Sequence, residues 1–119
     1  MKYMLLIYGN ETIWNSFGPE DFQQVIRETE ALQKELRESG EFVGAYGVAD
    51  QAEAKTVHLR DGVPVITDGP YLEAKEYMGS IDIIDVASLE RALEIAARVP
   101  FARLGQVEVR PLLQESDSN

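Results

Sequence analysis

The segment at residues 2–8 is apolar on both faces of a strand, and this restricts the folds open to the chain. Successive side chains of a strand point to opposite faces. Each face of this segment carries three large residues, Tyr3, Leu5 and Ile7 on one and Met4, Leu6 and Tyr8 on the other. Such a strand is typically buried from both sides. Helices can cover one face, and the sequence predicts that the sheet of a second copy covers the other.

Periodicity and turn residues divide the rest of the chain into alternating helices and strands. An apolar stripe at helical spacing predicts a helix over residues 19–39, and Ser88 is the expected N-cap of a second helix, with Leu89, Ala92, Leu93 and Ala96 on its apolar face. Strands are predicted at residues 42–48, 55–60, 63–67, 79–86 and 106–110.

The pair Asp61-Gly62 is a strong hairpin signal between two of these strands. Val57 and Leu59 are expected to point inward, and Pro64 places the returning strand at an edge. Without this hairpin the order is βαββαβ, which predicts an α+β, ferredoxin-like (split βαβ) subunit. The length fits one domain over residues 1–113, followed by a polar tail at residues 114–119.

Composition narrows the classes of function. A formal net charge of −10 disfavours nucleic acid as a partner, because phosphate-backbone binding needs clustered Lys and Arg. The absence of Cys excludes disulfides and thiolate sites. The single histidine, His58, is expected to face solvent, so no metal site and no cofactor are predicted. We expect a cytoplasmic protein without a membrane span, because the apolar run at the N-terminus is too short for one.

An ionisable run at residues 68–76 follows the hairpin, and its density of charged side chains predicts a functional surface there. Its first residue, Asp68, is a candidate general acid or base, and the alternative is an Asx-turn that accepts backbone N–H groups. Glu73 and Lys75 are candidates for holding a small polar ligand, or they form a local ion-pair cluster. Tyr71 either lines the pocket or packs as an amphipathic side chain.

Other candidate ligand-binding residues lie in predicted strands. Asp82 interrupts an apolar strand and shares the face of Ile84. If this face meets the interior of the dimer, the carboxylate needs a partner or a shifted pKa, and exposure at an edge is the alternative. Tyr8 lies near Trp14 and Phe17 at the entry to the first helix. This mixture of hydroxyl and aromatic groups suits either a small aromatic ligand or a loop that packs on its own helix.

The run 68–76 reads Asp-Gly-Pro-Tyr-Leu-Glu-Ala-Lys-Glu, and together with residues 2–8, 84–86 and 107–111 it resembles the YCII-related superfamily, in particular its DGPF (DGPFAETKE) branch. The resemblance implies a dimeric α+β barrel and, from gene neighbourhoods, a link to extracytoplasmic-function sigma factors. Some related proteins carry a His/Asp pair. This chain has no His between Asn10 and Gly18, and before Gly105 it has Leu104, where many members of the DGPF branch have His or Tyr. These departures weaken a His-dependent mechanism.

Two hypotheses of function follow. In the first, each subunit of a homodimer binds a small molecule beside the run 68–76, with cofactor-independent acid/base catalysis by Asp68. In the second, the dimer is a non-catalytic regulatory or interaction module that is linked to a sigma factor.

Overall fold

A computed structural model describes residues 1–113, so the predicted polar tail at residues 114–119 lies outside the described part. The described chain forms a four-stranded antiparallel sheet in the order β2-β5-β1-β6 and a separate two-stranded hairpin of β3 and β4. The elements are β1 (Lys2–Gly9), α1 (Glu11–Asn15), α2 (Pro19–Ser39), β2 (Phe42–Gly47), β3 (Lys55–Arg60), β4 (Val63–Asp68), β5 (Tyr77–Asp85), α3 (Leu89–Arg98) and β6 (Gln106–Pro111). The predicted α+β class is confirmed.

Strand β1 lies in the middle of the sheet and has the two different faces that its sequence predicts. Tyr3, Leu5 and Ile7 are at most 3% exposed and join the core under the helices. The side chains between them are half-buried on the opposite, outer face. The helices therefore cover the inner face of the sheet, and the outer face is open in the single chain.

Helix α2 has the predicted bounds. Pro19 occupies its first turn, where a missing N–H costs nothing, and Gly40 ends it with a positive φ of 81°. Val25, Leu32 and Leu36 bury its apolar face. Phe22, one turn before this buried stretch, is 51% exposed. The first turn of α2 therefore presents an aromatic side chain that the core does not use.

Helix α3 is capped as predicted, but a different face of the helix is buried against the sheet than the sequence predicts. The Ser88 hydroxyl accepts a hydrogen bond from the backbone N–H of Arg91. Leu89 and Leu93, expected in the apolar face, are 47% and 49% exposed, so that expectation is wrong. Ile95 is fully buried in their place. The reason is that the helix packs on the sheet through a narrow stripe that begins at Ala92, and the two leucines flank this stripe.

The short helix α1 was not predicted. Asn10 caps it by accepting a hydrogen bond from the N–H of Ile13. Its Trp14 packs against two glycines: a Cβ on Gly9 would come within 2.5 Å of the indole ring, and one on Gly79 within 3.1 Å. The absence of side chains at these two positions lets the indole pack directly on the sheet.

The hairpin of β3 and β4 turns through Asp61 and Gly62, both with positive φ, as a two-residue hairpin loop requires. Pro64 lies in its edge strand, as predicted. Val57 and Leu59 are 60% and 63% exposed, so the expectation that they point inward is wrong. The hairpin forms its own sheet, and neither face joins the core of the same chain.

Candidate functional site

The run 68–76 begins at the end of the hairpin. The Asp68 carboxylate forms an ion pair with Lys55 on the neighbouring strand, and 86% of its side chain is exposed. The backbone is fixed by other groups: the N–H of Gly69 donates to the carbonyl of Ala54, and Thr56 donates to the carbonyl of Gly69. Among the described residues Asp68 accepts no backbone N–H, so the Asx-turn alternative is not formed.

The rest of this run lies on the surface. Tyr71 is 84% exposed, and Glu73 and Lys75 are exposed as well. Glu76 is the point where the run meets the body of the protein, because it accepts a hydrogen bond of 2.9 Å from the side-chain amide of Asn10, the cap of α1. The end of the run is thereby attached to the helix that carries Trp14.

A cavity of about 670 Å³ opens beside this attachment, between α1, the first turn of α2, the segment after β2 and the start of β5. We call it the α1–β5 cavity. It is lined by Glu11, Trp14, Asn15, Phe22, Val48, Ala49, Asp50, Tyr77, Met78, Gly79, Ser80 and Phe101. This volume lies in the range of small-molecule sites in proteins.

An aromatic cluster supports one wall of the cavity. The Trp14 and Phe101 rings meet edge to face with centroids 5.2 Å apart, and Phe17 packs on both rings at 6.4 and 6.0 Å. Such arrangements are favourable for aromatic pairs and hold the rings in place. Phe17 packs behind the wall, while Trp14, Phe22 and Phe101 line the cavity. Trp14 and Phe17 thus pack on each other and on Phe101, and Trp14 also contributes to the cavity surface. A role of this cluster in ligand binding stays a prediction.

The polar groups of the cavity are acidic or neutral. Glu11 and Asp50 lie at its lining, and no Lys, Arg or His is among the lining residues that the structure describes. The pKa of the Tyr77 phenol is raised, mainly because partial burial disfavours the phenolate and then because the carboxylates of Asp50 and Glu11 repel it; the Trp14 indole partly offsets this rise. Both carboxylates therefore act on the same hydroxyl group.

Asp82 faces the helices. It pairs in register with Leu5, which is fully buried on the inner face of the sheet, and it lines a small gap together with Thr29 and Gln33 of α2. Burial raises the pKa of Asp82 to about 6. Within residues 1–113 its carboxylate has no hydrogen-bond or ion-pair partner that would offset this burial. Edge exposure, the alternative for this residue, does not describe its position.

The cavity and Asp82 lie along one face of β5. Ser80, at the end of the cavity, precedes Asp82 by two residues, and both side chains point to the inner face because they pair with Ile7 and Leu5. A spacing of two residues in a strand corresponds to about 7 Å. Asp82 is therefore the next inward-facing polar residue beyond the cavity.

The structure does not bring the predicted site residues together. Asp68, Tyr71, Glu73 and Lys75 are on the exposed hairpin side. Tyr8 pairs with Gln106 and Met78 and is half-buried at the end of β1. The roles proposed for these residues remain predictions. Four lining residues were not predicted as site residues from the sequence: Phe22, Val48, Asp50 and Phe101. They come from three separate segments, namely α2, the segment after β2 and the segment after α3. The one available signal was Phe22, which extends the apolar stripe of α2 beyond its buried part.

Comparison with known proteins places the chain in a family. The model of the YCII-related domain matches residues 1–116, and the chain belongs to this family. It is 32% identical over 114 residues to the uncharacterized protein R00369 of Rhizobium meliloti strain 1021, an alignment that covers 94% of this chain and 92% of the relative.

Residues 1–113 contain neither a membrane-spanning helix nor a metal-binding cluster. No helix of this part is long and apolar enough to cross a membrane. No group of three or more His, Cys, Asp or Glu side chains is arranged to hold a metal ion there. The cytoplasmic location stays a prediction from the sequence.

Proposed function

We propose that the protein binds a small molecule in the α1–β5 cavity. The observation that carries this proposal is the cavity itself: about 670 Å³, with aromatic and aliphatic walls and a few polar groups from three sides. Ligand sites are typically concave, mostly apolar and lined by a small number of placed polar groups. The site lies beside the end of the run 68–76, where Glu76 is bonded to Asn10.

Acid/base catalysis on the bound molecule is a further part of this proposal. The sequence favours Asp68, whose carboxylate is exposed and paired with Lys55. Asp82 is the better candidate on structural grounds, because a general acid or base works best with a pKa near the operating pH, and burial raises the pKa of Asp82 to about 6. The position of Asp82 next to Ser80 would bring it within reach of a ligand that extends along β5.

A thermal-shift screen against a metabolite library tests binding, since a ligand that binds only the folded state raises the melting temperature. Ala49→Phe should fill part of the cavity and abolish the response to any hit. Ala52→Phe is the matched control, because Ala52 is exposed three residues further on and does not line the cavity. Loss of the response with Asp68→Asn but not with Ala49→Phe would place the ligand at the hairpin and contradict the proposal.

We also propose that the chain forms a homodimer through the outer face of its sheet, as a dimeric α+β barrel of ferredoxin-like subunits. Met4, Leu6, Ile81 and Ile83 lie side by side on this face, because Met4 pairs with Ile83 and Leu6 with Ile81. They are half-buried in the single chain. Glu108 and Arg110 pair with Leu6 and Met4 on the other side and give the patch a charged border. An apolar centre with a polar rim is typical of protein interfaces.

The hairpin supports the same proposal. A two-stranded hairpin is marginally stable alone in water, yet Val57, Leu59 and Ile66 are each at least 60% exposed. The radius of gyration is 16.7 Å, whereas a compact domain of this length has about 13.5 Å. Both observations are explained if the hairpin packs against a second copy.

Light scattering after size-exclusion chromatography tests the dimer. The wild type should elute with twice the mass of the chain, and Leu6→Glu should shift it to monomer by placing a charge in the apolar centre. Ala31→Glu, on the exposed side of α2, is the control and should remain dimeric. A monomeric wild type at micromolar concentration would refute the dimer.

One observation favours the second hypothesis, a regulatory or interaction module. The run 68–76 that resembles the DGPF signature is exposed over most of its length, as a recognition surface would be. We propose on the basis of this run that the chain belongs to the DGPF branch, and a sigma factor is the partner that the branch suggests. Titration with a purified extracytoplasmic-function sigma factor should then show binding that Glu73→Lys weakens and the control Glu30→Lys does not. If neither the wild type nor the Glu30→Lys control binds the sigma factor, a sigma-factor-linked function is refuted.

A further inference from the structure

The composition of the α1–β5 cavity indicates the class of its ligand. Four aromatic side chains line it together with the carboxylates of Glu11 and Asp50: Trp14, Phe22, Tyr77 and Phe101. No basic side chain is among the lining residues described. We propose that the ligand is an organic cation, an amine or ammonium group attached to an apolar body. This inference rests on the proposed function, since it concerns the same cavity.

The apolar body of such a ligand has suitable surfaces. Trp14 is held on the sheet by Gly9 and Gly79 and is in edge-to-face contact with Phe101. A rigid indole ring is the strongest aromatic partner for a cation, within about 6 Å of the ring. Met78 and Val48 add aliphatic surface. An amine with an aromatic or branched aliphatic group would therefore remove apolar surface from water and also place its charge near an aromatic ring.

The two carboxylates are available to the ligand. Neither Glu11 nor Asp50 forms an ion pair within residues 1–113, whereas Glu28 pairs with Arg103 and Glu41 with Arg91. Asp50 keeps one backbone bond, from the N–H of Ala52. An anionic ligand would meet two like charges without a cation to balance them, and such juxtaposition is unfavourable. A cation would meet two opposite charges.

The position of Tyr77 agrees with this reading. Tyr77 lines the cavity together with Glu11 and Asp50. The pKa of its phenol is raised, mainly by burial and then by these two carboxylates. The two carboxylates thus act on one region of the cavity although they come from segments that are 39 residues apart in sequence, at positions 11 and 50. A positive group placed at the Tyr77 hydroxyl would be attracted by both, and the hydroxyl oxygen could accept its hydrogen bond.

Fluorescence of the single tryptophan tests the inference, because Trp14 is the only Trp of the chain and lines the cavity. The probes are three compounds with the same phenyl group: 2-phenylethylamine as the cation, 2-phenylethanol as the neutral form and 3-phenylpropionate as the anion. We expect saturable changes in the order amine, alcohol, acid, with the amine bound about tenfold more tightly than the alcohol. This preference should shrink in about 1 M salt, where the Debye length is only about 3 Å.

The double variant Glu11→Gln/Asp50→Asn removes both charges, and the amide oxygen introduced at position 50 can still accept the bond from the N–H of Ala52. It should lose the preference for the amine and keep its affinity for the alcohol within about twofold. Glu30→Gln/Glu90→Gln is the control, because it changes the net charge equally at exposed positions outside the cavity. This control should bind all three probes like the wild type.

The outcomes separate the inference from the proposed function. If the alcohol or the acid binds as tightly as the amine, or if the double variant keeps the preference, the cation is refuted while the cavity remains a binding site. If none of the three probes changes the fluorescence of Trp14 at about 20 mM, the cavity is not a small-molecule site and the proposed function fails with it. At this concentration a ligand of about nine to eleven non-hydrogen atoms binds with ordinary efficiency.

Discussion

The Asp82 carboxylate should lower the stability of the protein at neutral pH. Burial raises its pKa from 3.8 to about 6, and no partner within the described residues offsets the burial. A carboxyl group whose pKa is higher in the folded state binds its proton more tightly there. The folded state is therefore favoured at low pH, and this advantage is lost as the pH rises from about 4 to 6.

The size of the effect follows from the shift. Two pKa units correspond to about 3 kcal/mol. Asp82→Asn, which cannot ionise, should exceed the wild type in free energy of unfolding by about 1 kcal/mol at pH 4.5 and by about 3 kcal/mol at pH 7.5, after subtraction of any constant difference. These are upper limits, because Asp82 is only partly buried and water screens an accessible carboxylate.

Urea unfolding followed by circular dichroism at pH 4.5, 6.0 and 7.5 measures this dependence, at one protein concentration because dimerisation would affect the midpoint. Asp61→Asn is the control, since Asp61 lies in the exposed hairpin turn where Asn tolerates the positive φ. Its difference from the wild type should not change with pH. A constant difference for Asp82→Asn, or one that shrinks as the pH rises, would refute the reasoning and reveal a partner for the carboxylate.

Two further predictions concern the stability of the folded domain. Arg91 binds both carboxylate oxygens of Glu41 and lowers the pKa of Glu41 to about 2. Glu41→Gln should therefore lower the free energy of unfolding by about 1.5 kcal/mol at pH 7 in the same urea assay. The loss should become progressively smaller as the pH falls from about 4.5 towards 2. A cost that does not depend on pH would contradict the ion pair. A side chain at Gly105 would collide with the backbone carbonyl of Tyr8, so Gly105→Ala should lower the free energy of unfolding by about 2 kcal/mol. Gly47 has open space around it, so Gly47→Ala should change the free energy of unfolding by less than about 1 kcal/mol. Equal effects of the two substitutions in thermal unfolding would show that the backbone at Gly105 moves away.

The sequence predicts most of the fold because most helices and strands have a local signal, and the short helix α1 is the exception. Alternation in residues 2–8 gives the two faces of β1, and Pro19 and Gly40 mark the ends of α2. The hairpin turn at Asp61-Gly62 is equally local. What local patterns cannot give is the rotation of α3, which depends on how tightly the helix approaches the sheet.

The candidate site is harder to predict because it has no contiguous signal. The run 68–76 draws attention through its density of charges, yet the cavity takes its walls from α1, α2, β5 and the segment after β2. Trp14 is placed by Gly9 and Gly79, which lie on two strands that become neighbours only in the folded sheet. Asp82 is a partial exception. The sequence shows a charged residue within an apolar strand, but it does not show that this residue faces the helices.

An NMR titration of ¹⁵N-labelled protein with 2-phenylethylamine tests the central claim most directly. The account predicts saturable shifts in the indole N–H of Trp14 and in the backbone amides of Asp50, Gly79 and Ser80, with little change in the amides of residues 68–76. Saturable shifts confined to the run 68–76, or no shifts at all, would contradict the assignment of the α1–β5 cavity as the ligand site.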